Sequence, residues 1–548
     1  SSAASDVYKR QLLLWSAPDA RDVVQYRIYS SSDSTTFTLV DSTSGLYSTE
    51  GAVTGLTNNQ QYWFYVTSVD SAGYESSPSL QVVAEPRYLG PVWYVDANSS
   101  AGSHEGSVGD AFREIQDAID AADEGDTVMV LPGTYDRNDD QELKFRVEDQ
   151  NGTFTPKNII LFARGGPDST FLDVEGGKQI FTIDTENDTT LKIIGFTIFD
   201  GGGNVTQPEP AILVSGVFVS QTNGNTNFSP SGAVFEHCVI KDIDLSDNSI
   251  IDIEAGGKAV FRDCVIKNNR VTNGGRGHIN GGAIRVNQQS AVMLDRTKVL
   301  NNVTENTGNG GEIHRGSGVS VDDGSTIYMI NSLIAGNYID DTNGGSSNFG
   351  VGLYAWNSEV LMMNSTITDN QSLTGWTGNG YGSAFYYDGD NSSDMDQLLI
   401  FNSIIADNHP SSGQTYIDQN GIQFSAISNS LFEGGSSDWY FDSDAYCYDF
   451  DPMFADSLGT LSDYSLAIGS GGTSIENVDE NDLTPPLVDI NGSIRPNPAG
   501  SNPDIGVYEH ILSEPRRLVY YVDDTNGDNN NDGLTSAWLL YTSPSPRD

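Results

Sequence analysis

The stretches NSLIAGN at 331–337, NSTITDN at 364–370 and NSIIADN at 402–408 share one pattern, and this pattern decides the fold. Four further segments follow it: HCVIKDI at 237–243, DCVIKNN at 263–269, RTKVLNN at 296–302 and NSLFEGG at 429–435. The second residues of the seven segments lie at 238, 264, 297, 332, 365, 403 and 430, in steps of 26, 33, 35, 33, 38 and 27 residues. An irregular period of about 30 residues without helical spacing predicts a solenoid of three-strand coils, each with a variable loop.

Equivalent residues of successive coils form columns in such a solenoid. Two columns are predicted to point inward, because their members lie two residues apart on a strand. These columns are Cys238, Cys264, Thr297, Ser332, Ser365, Ser403 and Ser430, and Ile240, Ile266, Val299, Ile334, Ile367, Ile405 and Phe432. Four asparagines that open segments are predicted to stack at a tight corner and to hydrogen-bond along their column; they are Asn331, Asn364, Asn402 and Asn429. A second asparagine column ends the strand: Asn269, Asn302, Asn337, Asn370 and Asn408.

The repeat resembles the right-handed parallel β-helix proteins related to pectate lyases. The closing stretch resembles the C-terminal part of secreted bacterial β-helix domains, through DPMF at 451, DYSL at 463, DINGSIRPNPAG at 489 and DIGVYEH at 504. The resemblance implies an all-β chain with a right-handed parallel β-helix over 92–512, secreted or at the cell surface. Residues 520–538 repeat the opening stretch at 93–112, so a second, truncated β-helix is predicted to begin within 518–540.

Two further elements precede the repeat. Phe112, Ile115, Ile119 and Ala122 recur at helical spacing, which predicts a helix over 111–122 that caps the open end of the solenoid. Residues 11–86 alternate short apolar runs with turn residues, as in a β-sandwich. The run LTNNQQYWFYVTSVDSAGYES at 56–76 resembles fibronectin type III modules. Residues 1–10 and 541–548 resemble translated vector sequence and are excluded from the fold prediction.

The amino-acid composition limits the classes of partner that this chain can bind. The chain has 75 Asp and Glu against 27 Lys and Arg, a net charge of −48. Such a surface repels nucleic acid and acidic membranes, but it suits Ca²⁺ and neutral glycans. No apolar run approaches the roughly 20 residues of a membrane span. Three cysteines exclude a disulfide framework, while Cys238 and Cys264 in adjacent coils are either bonded or a reduced interior pair. We expect a monomer.

The strand that follows the long loop of each coil offers a candidate site. Aligning IIDIE at 250, GGAIRVN at 281, GSGVSVDD at 316, GVGLYAW at 350 and GSAFYYD at 382 places Ile251, Ile284, Val319, Leu353 and Phe385 inward. Alternation then directs two columns outward: Asp252, Arg285, Ser320, Tyr354 and Tyr386, and Glu254, Asn287, Asp322, Trp356 and Asp388. Because carboxylates, an arginine and aromatics are flanked by long loops, this face is predicted to bind polysaccharide; the alternative is a plain solvated sheet.

Three chemistries are open for this face. The likeness to pectate lyases implies Ca²⁺ held by Asp or Glu with Arg or Lys as base, which would be Arg285, although pairing with Asp252 is the alternative. A hydrolase would use Asp322 and Asp388, two coils or roughly 10 Å apart, near the upper end of the inverting range. His278 and His314, with Glu312 and Arg315, could line one rim as base or metal ligand, or serve only in loop hydrogen bonds.

Calcium binding is predicted from parts of the sequence other than the candidate site. Asp-rich turns near Asp479 and Asp482 and at 523–532 offer hard oxygen ligands, so Ca²⁺ is predicted to bind and to stabilise the fold. No complete motif of a lyase or glycosidase is present. The sequence therefore leaves two functions open, a polysaccharide lyase or glycoside hydrolase, and a non-catalytic adhesin or structural surface protein.

Overall fold

The computed structural model describes most of the chain outside the longest loops. The described residues are 11–15, 22–45, 48–56, 60–84, 92–100, 106, 111–136, 142–174, 179–200, 209–222, 225–273, 279–306, 313–340, 347–373, 384–389, 397–409, 415–418, 424–433, 447–478 and 481–516. The predicted second β-helix at 518–540 and the two excluded termini lie outside them. None of the helices in these ranges is both long and apolar enough to cross a membrane.

The N-terminal segment forms two antiparallel sheets. The smaller pairs Gln11–Leu14 with Glu50–Val53, and the larger has the order Thr38–Ser44, Val23–Ser31, Tyr62–Asp70 and Val82–Ala84. Leu13 and Val53 of the smaller sheet pack on Ile28 and Phe64 of the larger, which gives the segment its own core. This packing of two sheets is the arrangement of a β-sandwich. Its assignment to fibronectin type III modules stays a prediction.

The main body is a right-handed parallel β-helix, and right-handed crossovers are the rule between parallel strands of one sheet. Each coil passes through sheets 1, 2 and 3 in turn. Sheet 1 contains Leu143–Lys144, Phe181–Ile183, Ile212–Ser215, Ile251–Glu254, Ile284–Val286, Val319–Val321, Leu353–Trp356, Phe385–Asp388 and Thr415–Asp418. Sheet 2 contains Val92–Val95, Thr127–Val130, Ile160–Ala163, Lys192–Ile194, Gly232–Glu236, Lys258–Arg262, Ala291–Asp295, Thr326–Ile330, Glu359–Met363, Gln397–Phe401 and Phe424–Ser428. Sheet 3 contains Gly133–Tyr135, Thr170–Asp173, Thr197–Phe199, Val239–Lys241, Val265–Lys267, Lys298–Leu300, Leu333–Ala335, Thr366–Thr368, Ile404–Ala406 and Leu431–Phe432.

Additional strands lie between sheet 3 and the next strand of sheet 1. Sheet 4 contains Asp244–Ser246, Arg270–Asn273, Val303–Asn306, Tyr338–Asp340 and Gln371–Leu373. Three short parallel strands, called the wall strands here, are Ile279–Asn280, Ile313–Arg315 and Ser347–Phe349. Three hairpins pair Arg146–Glu148 with Phe154–Pro156, Val217–Thr222 with Asn225–Ser229, and Ile475–Val478 with Asn481–Leu483.

The predicted inward columns are confirmed. In the first, each backbone N–H donates to the side chain one coil later, as from Thr297 to Ser332 at 3.1 Å and from Ser332 to Ser365 at 3.0 Å. Cys238 and Cys264 belong to this ladder as free, buried thiols. In the interior the ladder satisfies polar groups that would otherwise destabilise the fold.

The two asparagine columns differ from the prediction. The stacked amides belong to the second column, where Nδ2 of Asn337 donates to Oδ1 of Asn370 at 2.9 Å and Nδ2 of Asn302 donates to Asn337 in the same way. The corner asparagines do not bond to one another as predicted. They take left-handed φ values near the corner, and Nδ2 of Asn331 and of Asn402 donates to the carbonyls of Val488 and Gly472. A left-handed corner directs these amides outward, where the C-terminal segment accepts them.

The C-terminal segment, residues 447–516, covers the outer face of sheet 3. Ile490, Val507 and Tyr508 pack on Leu333 and Ala335. Further along, Ile404, Ala406 and Leu431 pack against Leu461, Ala467, Ile468 and Ile505. A buried ion pair joins Arg495 to Glu509 at 3.2 Å within the segment.

The capping helix spans Ile115–Ala121, shorter than the predicted 111–122. Its start is later because Phe112 is paired with Val95 as an isolated parallel bridge. Ile115, Ala118 and Ile119 face the core, so the helix covers the first coil as predicted. At its other end, Nζ of Lys157 donates to the carbonyls of Ile119 and Asp120 at 2.7 and 3.0 Å. These bonds occupy carbonyls that a helix C-terminus leaves without partners.

Candidate functional site

The outer face of sheet 1 has the register that the sequence predicts. The pairing confirms that Ile251, Ile284, Val319, Leu353 and Phe385 lie opposite one another, and all are buried. The first outward column, Asp252, Arg285, Ser320, Tyr354 and Tyr386, is also in register. In the second column, Trp356 is paired directly with Asp388. Successive members of a column are therefore about 4.8 Å apart along the helix axis.

The wall strands lie against this face because of tight glycine turns. Gly281, Gly316 and Gly350 have φ values of 74°, 58° and 51°, a region that favours glycine. A Cβ atom on Gly316 would lie 2.1 Å from the carbonyl oxygen of Val319, so only glycine permits this approach. The residue before each turn, Asn280, Arg315 or Phe349, stands in register with its neighbours, and Arg315 and Phe349 reach over sheet 1.

Arg315 and Phe349 cover the tyrosines of the following coils. The guanidinium carbon of Arg315 lies 5.3 Å from the ring centre of Tyr354. Tyr354 stacks on Tyr386 with ring centres 5.2 Å apart and planes 10° apart, and Phe349 meets Tyr386 edge-on at 5.1 Å. Both tyrosines are buried, so their rings do not form the open aromatic platform that the sequence predicts. Trp356 alone of the three aromatics is exposed, at 38 %.

A cavity of about 290 Å³ opens between the wall strands and sheet 1. Its lining consists of Arg315, Asp322, Phe349, Tyr354, Trp356, Tyr386 and Asp388. Six of the predicted residues therefore meet here: the two predicted hydrolase carboxylates, the three aromatics and Arg315 of the predicted rim. Among the six, Asp322, Trp356 and Asp388 follow one another in three successive coils of the second column.

The two carboxylates of the cavity have different surroundings. Burial raises the pKa of Asp322 to about 6, and the charges of Arg285 and Arg315 only partly oppose this effect. Asp388 accepts a hydrogen bond from the Tyr386 hydroxyl at 3.0 Å, and such a bond favours the ionised carboxylate. Asp322 and Asp388 lie two coils apart, or roughly 10 Å between Cα atoms. Asp322 is thus easier to protonate than an ordinary aspartate, and Asp388 differs from it in accepting a hydrogen bond from a tyrosine hydroxyl.

Arg285 lies outside the cavity lining, in an ion cluster. Its Nε donates to Oδ1 of Asp252 at 2.8 Å, its Nη2 binds the other oxygen of Asp252, and the same nitrogen lies 3.3 Å from Glu254. Burial would lower the pKa of Arg285, but the hydrogen bond and charge of Asp252 outweigh it, so the pKa is raised. An arginine held in this way does not release its proton readily. Arg285 does not fit the role of base that the sequence suggests; Arg315 is the arginine that lines the cavity.

A calcium site of the lyase kind does not fit this cluster. Ca²⁺ takes six to eight oxygen ligands, whereas both oxygens of Asp252 and one oxygen of Glu254 contact the guanidinium of Arg285. Within the described ranges, no group of three or more His, Cys, Asp or Glu side chains is placed to hold a metal ion. The calcium ligands predicted at Asp479 and 523–532, and the side chain of Asp482, fall outside what the structure describes.

Of the two predicted rim histidines, His314 is described, and it does not line the cavity. His278 and Glu312 lie outside the described residues. His314 is fully buried, and alternation along the strand directs it away from the cavity that Arg315 lines. Asn287 and Glu254 are part-exposed members of the second column on the N-terminal side of Asp322. Burial and the charge of Asp252 raise the pKa of Glu254.

Phe349 is the cavity residue that the sequence analysis did not single out. The alignment contained the necessary information, because Asn280, Arg315 and Phe349 each precede a glycine by one residue at the same point of the repeat. A position just before an obligatory glycine turn is set by the turn geometry, so its side chain had a predictable place over sheet 1.

Comparison with known proteins gives fold-level similarity only. No protein-family model matches the chain, and no curated protein sequence is significantly similar to it. A Yersinia enterocolitica family 28 exopolygalacturonase is 12% identical, with 78% of this chain and 90% of that chain covered and a TM-score of 0.28. The pectate lyase Pel9A is 14% identical, with 76% and 96% covered and a TM-score of 0.32. A GH87 α-1,3-glucanase of Streptomyces thermodiastaticus is 12% identical, with 77% and 88% covered and a TM-score of 0.24. These similarities give no basis for assigning an activity to this chain.

Proposed function

We propose that this protein binds polysaccharide in the cavity on sheet 1 and cleaves it as an inverting glycoside hydrolase. The observation that supports the proposal is an exposed tryptophan, Trp356, set between two carboxylates of unequal environment, Asp322 and Asp388. Sugar rings present apolar C–H faces to aromatic rings, and their hydroxyls need polar partners. A polymer cannot enter a cell, so we further propose that the protein works as a secreted or cell-surface protein.

In the proposed reaction, the sugar ring beside the scissile bond rests on Trp356. Asp322, whose raised pKa keeps its proton available, protonates the leaving glycosidic oxygen. Asp388 accepts a proton from a water molecule, whose oxygen attacks the anomeric carbon as the glycosidic bond breaks. Inverting enzymes place their carboxyl groups about 6.5–9.5 Å apart to leave room for this water, and a spacing of two coils is compatible with that range.

The same geometry argues for hydrolysis over a lyase reaction. A lyase needs a base beside a neutralised carboxylate, and Arg285 is engaged with Asp252 and Glu254. The same guanidinium occupies both oxygens of Asp252, and Glu254 alone supplies too few oxygens for a calcium ion. The Asp322 and Asp388 pair requires no metal and no further residue.

A non-catalytic glycan-binding surface protein is the second candidate. Arg285 and Arg315 both act on Asp322 and oppose its protonation, which is also what a structural ion network would do. In this case Trp356 would bind sugar without turnover.

The experiment uses the intact protein and a panel of xylan, laminarin, dextran, starch and polygalacturonate. We expect new reducing ends, product of inverted anomeric configuration by NMR, and no ultraviolet absorbance from unsaturated products. Asp322→Asn and Asp388→Asn should each lower turnover by about 10²–10⁴ while retaining affinity. Asp242→Asn is the matched control, because this aspartate is exposed, lies outside the cavity and has a φ of 56° that asparagine tolerates.

The outcomes separate the two candidates. Binding that depends on Trp356 without turnover by the intact protein rejects the hydrolase in favour of the binding surface. Unsaturated products would reject hydrolysis in favour of a lyase. If Trp356→Ala leaves both affinity and turnover unchanged in a folded protein, the cavity is not the site.

A further inference from the structure

A second cavity, of about 600 Å³, lies at the N-terminal end of the β-helix. It is formed between the capping helix, the first strand of sheet 1 and the hairpin of Arg146–Glu148 and Phe154–Pro156. Helix and strand are joined by the side-chain amide of Gln116, which accepts from the backbone N–H of Lys144 at 2.9 Å and donates to its carbonyl at 3.2 Å. Two secondary-structure elements and a hairpin therefore hold this cleft in shape.

Its chemistry combines an apolar wall with balanced charge. Phe154 and Val147 are 43% and 47% exposed, large values for apolar side chains. The guanidinium of Arg146 lies 4.1 Å from the ring centre of Phe154, while its Nη1 donates to both oxygens of Asp184 at 2.8 and 2.7 Å. Three acidic side chains of the lining, Asp120, Glu142 and Glu148, face three basic ones, Lys144, Arg146 and Lys157, and Asp184 beside the lining adds a fourth acid. In a protein of charge −48, a cleft this close to neutral, with exposed apolar groups and many hydrogen-bonding groups, fits an uncharged, hydroxyl-rich ligand.

The cleft lies on the same face of sheet 1 as the candidate site. Strand pairing connects Lys144 through Thr182, Leu213, Asp252, Arg285 and Ser320 to Tyr354. These are six strand-to-strand steps of about 4.8 Å, so the two cavities are roughly 29 Å apart along the helix axis. The second outward column bridges them with part-exposed polar side chains: Asp184, Ser215, Glu254 and Asn287.

We propose that the cleft at Phe154 is a distal glycan-binding subsite, and that one polysaccharide chain lying along the helix axis contacts both this cleft and the cavity at Trp356. The proposal extends the proposed function, because it assigns the ligand's length and direction: a neutral polymer, bound parallel to the axis, rather than a short oligosaccharide held at one end. A ligand that reaches both places binds more tightly than one that reaches either alone, because the second contact is intramolecular.

The test is affinity electrophoresis of the intact protein in gels containing xylan, laminarin, dextran or starch, together with titration of the trisaccharide of the polymer that retards it. Phe154→Ala should weaken polymer binding about tenfold, the usual size of losing an aromatic anchor, and leave trisaccharide binding unchanged. Trp356→Ala should weaken both. Tyr74→Ala is the matched control, because this aromatic residue is 76% exposed in the N-terminal segment and lines neither cavity; it should change neither.

Each outcome decides a separate point. If Phe154→Ala leaves polymer binding unchanged while Trp356→Ala weakens it, the distal subsite is wrong and the proposed function stands. If Phe154→Ala weakens polymer binding and Trp356→Ala does not, the cleft binds glycan and the proposed site at Trp356 is wrong. If Phe154→Ala weakens trisaccharide binding as much as polymer binding, the cleft is an independent site and the continuous path is wrong. If no gel retards the intact protein, both proposals fail.

Discussion

Replacing Asn337 by alanine tests whether the asparagine ladder holds successive coils together. This side chain is fully buried. Its Nδ2 donates to Asn370 Oδ1 at 2.9 Å and to the Val299 carbonyl at 3.0 Å, and its Oδ1 accepts from the backbone N–H and the Nδ2 of Asn302 at 3.0 and 2.9 Å. Alanine removes these four bonds and a fifth, from Nδ2 to the Ala335 carbonyl at 3.3 Å, and it leaves the buried Asn302 N–H without its acceptor.

The expected cost follows from these contacts. A hydrogen bond contributes about 0.5–1.5 kcal/mol net, and a buried donor left unsatisfied costs about 1–3 kcal/mol. We therefore expect a local loss of about 4 kcal/mol. Stacked coils open locally, since each contacts mainly its neighbours, so the quantity to measure is amide exchange. A loss of this size corresponds to exchange about a thousandfold faster in the peptides around Asn302 and Asn337.

The measurement is hydrogen exchange by mass spectrometry on the variant and on Gln371→Ala. Gln371 follows the ladder residue Asn370 but is part-exposed, so its loss should cost within about 0.5 kcal/mol. Peptides of the first coils, such as 160–163, serve as an internal reference. Protection around Asn302 that changes less than tenfold, or equally in both variants, would refute the reasoning.

Four further predictions concern the site, its surroundings and calcium. Hydrolysis should fall about tenfold per pH unit above pH 6, because the proposed acid Asp322 must be protonated; a rate that rises through this range contradicts the assignment. The folded-state pKa of Asp322 lies above its unfolded value, so its contribution to stability is greatest at low pH and is lost as pH rises through about 6; Asp322→Asn should flatten the melting temperature over that window. Arg285→Met should destabilise by about 3–5 kcal/mol, because Asp252 remains buried without its cation; Arg296→Met, which removes a more exposed pair with Asp263, should cost about 1 kcal/mol or less, and equal losses would refute the distinction. Millimolar Ca²⁺ should raise the melting temperature above that in excess chelator; identical values would remove calcium from consideration.

Much of the fold was predictable because its signals are local and repeated. The Ser332, Ser365 and Ser403 column and the alignment of sheet 1 follow from a strand period of two applied to a repeated motif. The hydrogen-bond partners of the corner asparagine side chains were not predictable, because Asn331 and Asn402 donate to residues 70 or more positions away. The residue pattern within one coil does not indicate which distant segment of the chain packs on that coil.

The candidate site shows the same limit. Alternation along the strands predicted that Asp322, Trp356 and Asp388 lie on the outer face of sheet 1, and all three line the cavity. The burial of Tyr354 and Tyr386 depends on Arg315 and Phe349 folding over them from other coils, which alternation within one strand cannot indicate. The sequence left two roles open for Arg285, a base or an ion pair with Asp252. Side-chain distances were needed to decide between them.

The contact between the corner asparagines and the C-terminal segment limits how this protein can grow in evolution. Repeat proteins usually lengthen by duplication of a unit, since each new unit needs only its neighbours. Here Asn331, Asn364 and Asn402, in three consecutive coils, each donate to one continuous downstream segment. A unit duplicated among them would separate donors from acceptors by one coil, whereas a unit duplicated upstream of Asn331 would leave all three contacts intact. Length variation among relatives should therefore be found on the N-terminal side of Asn331.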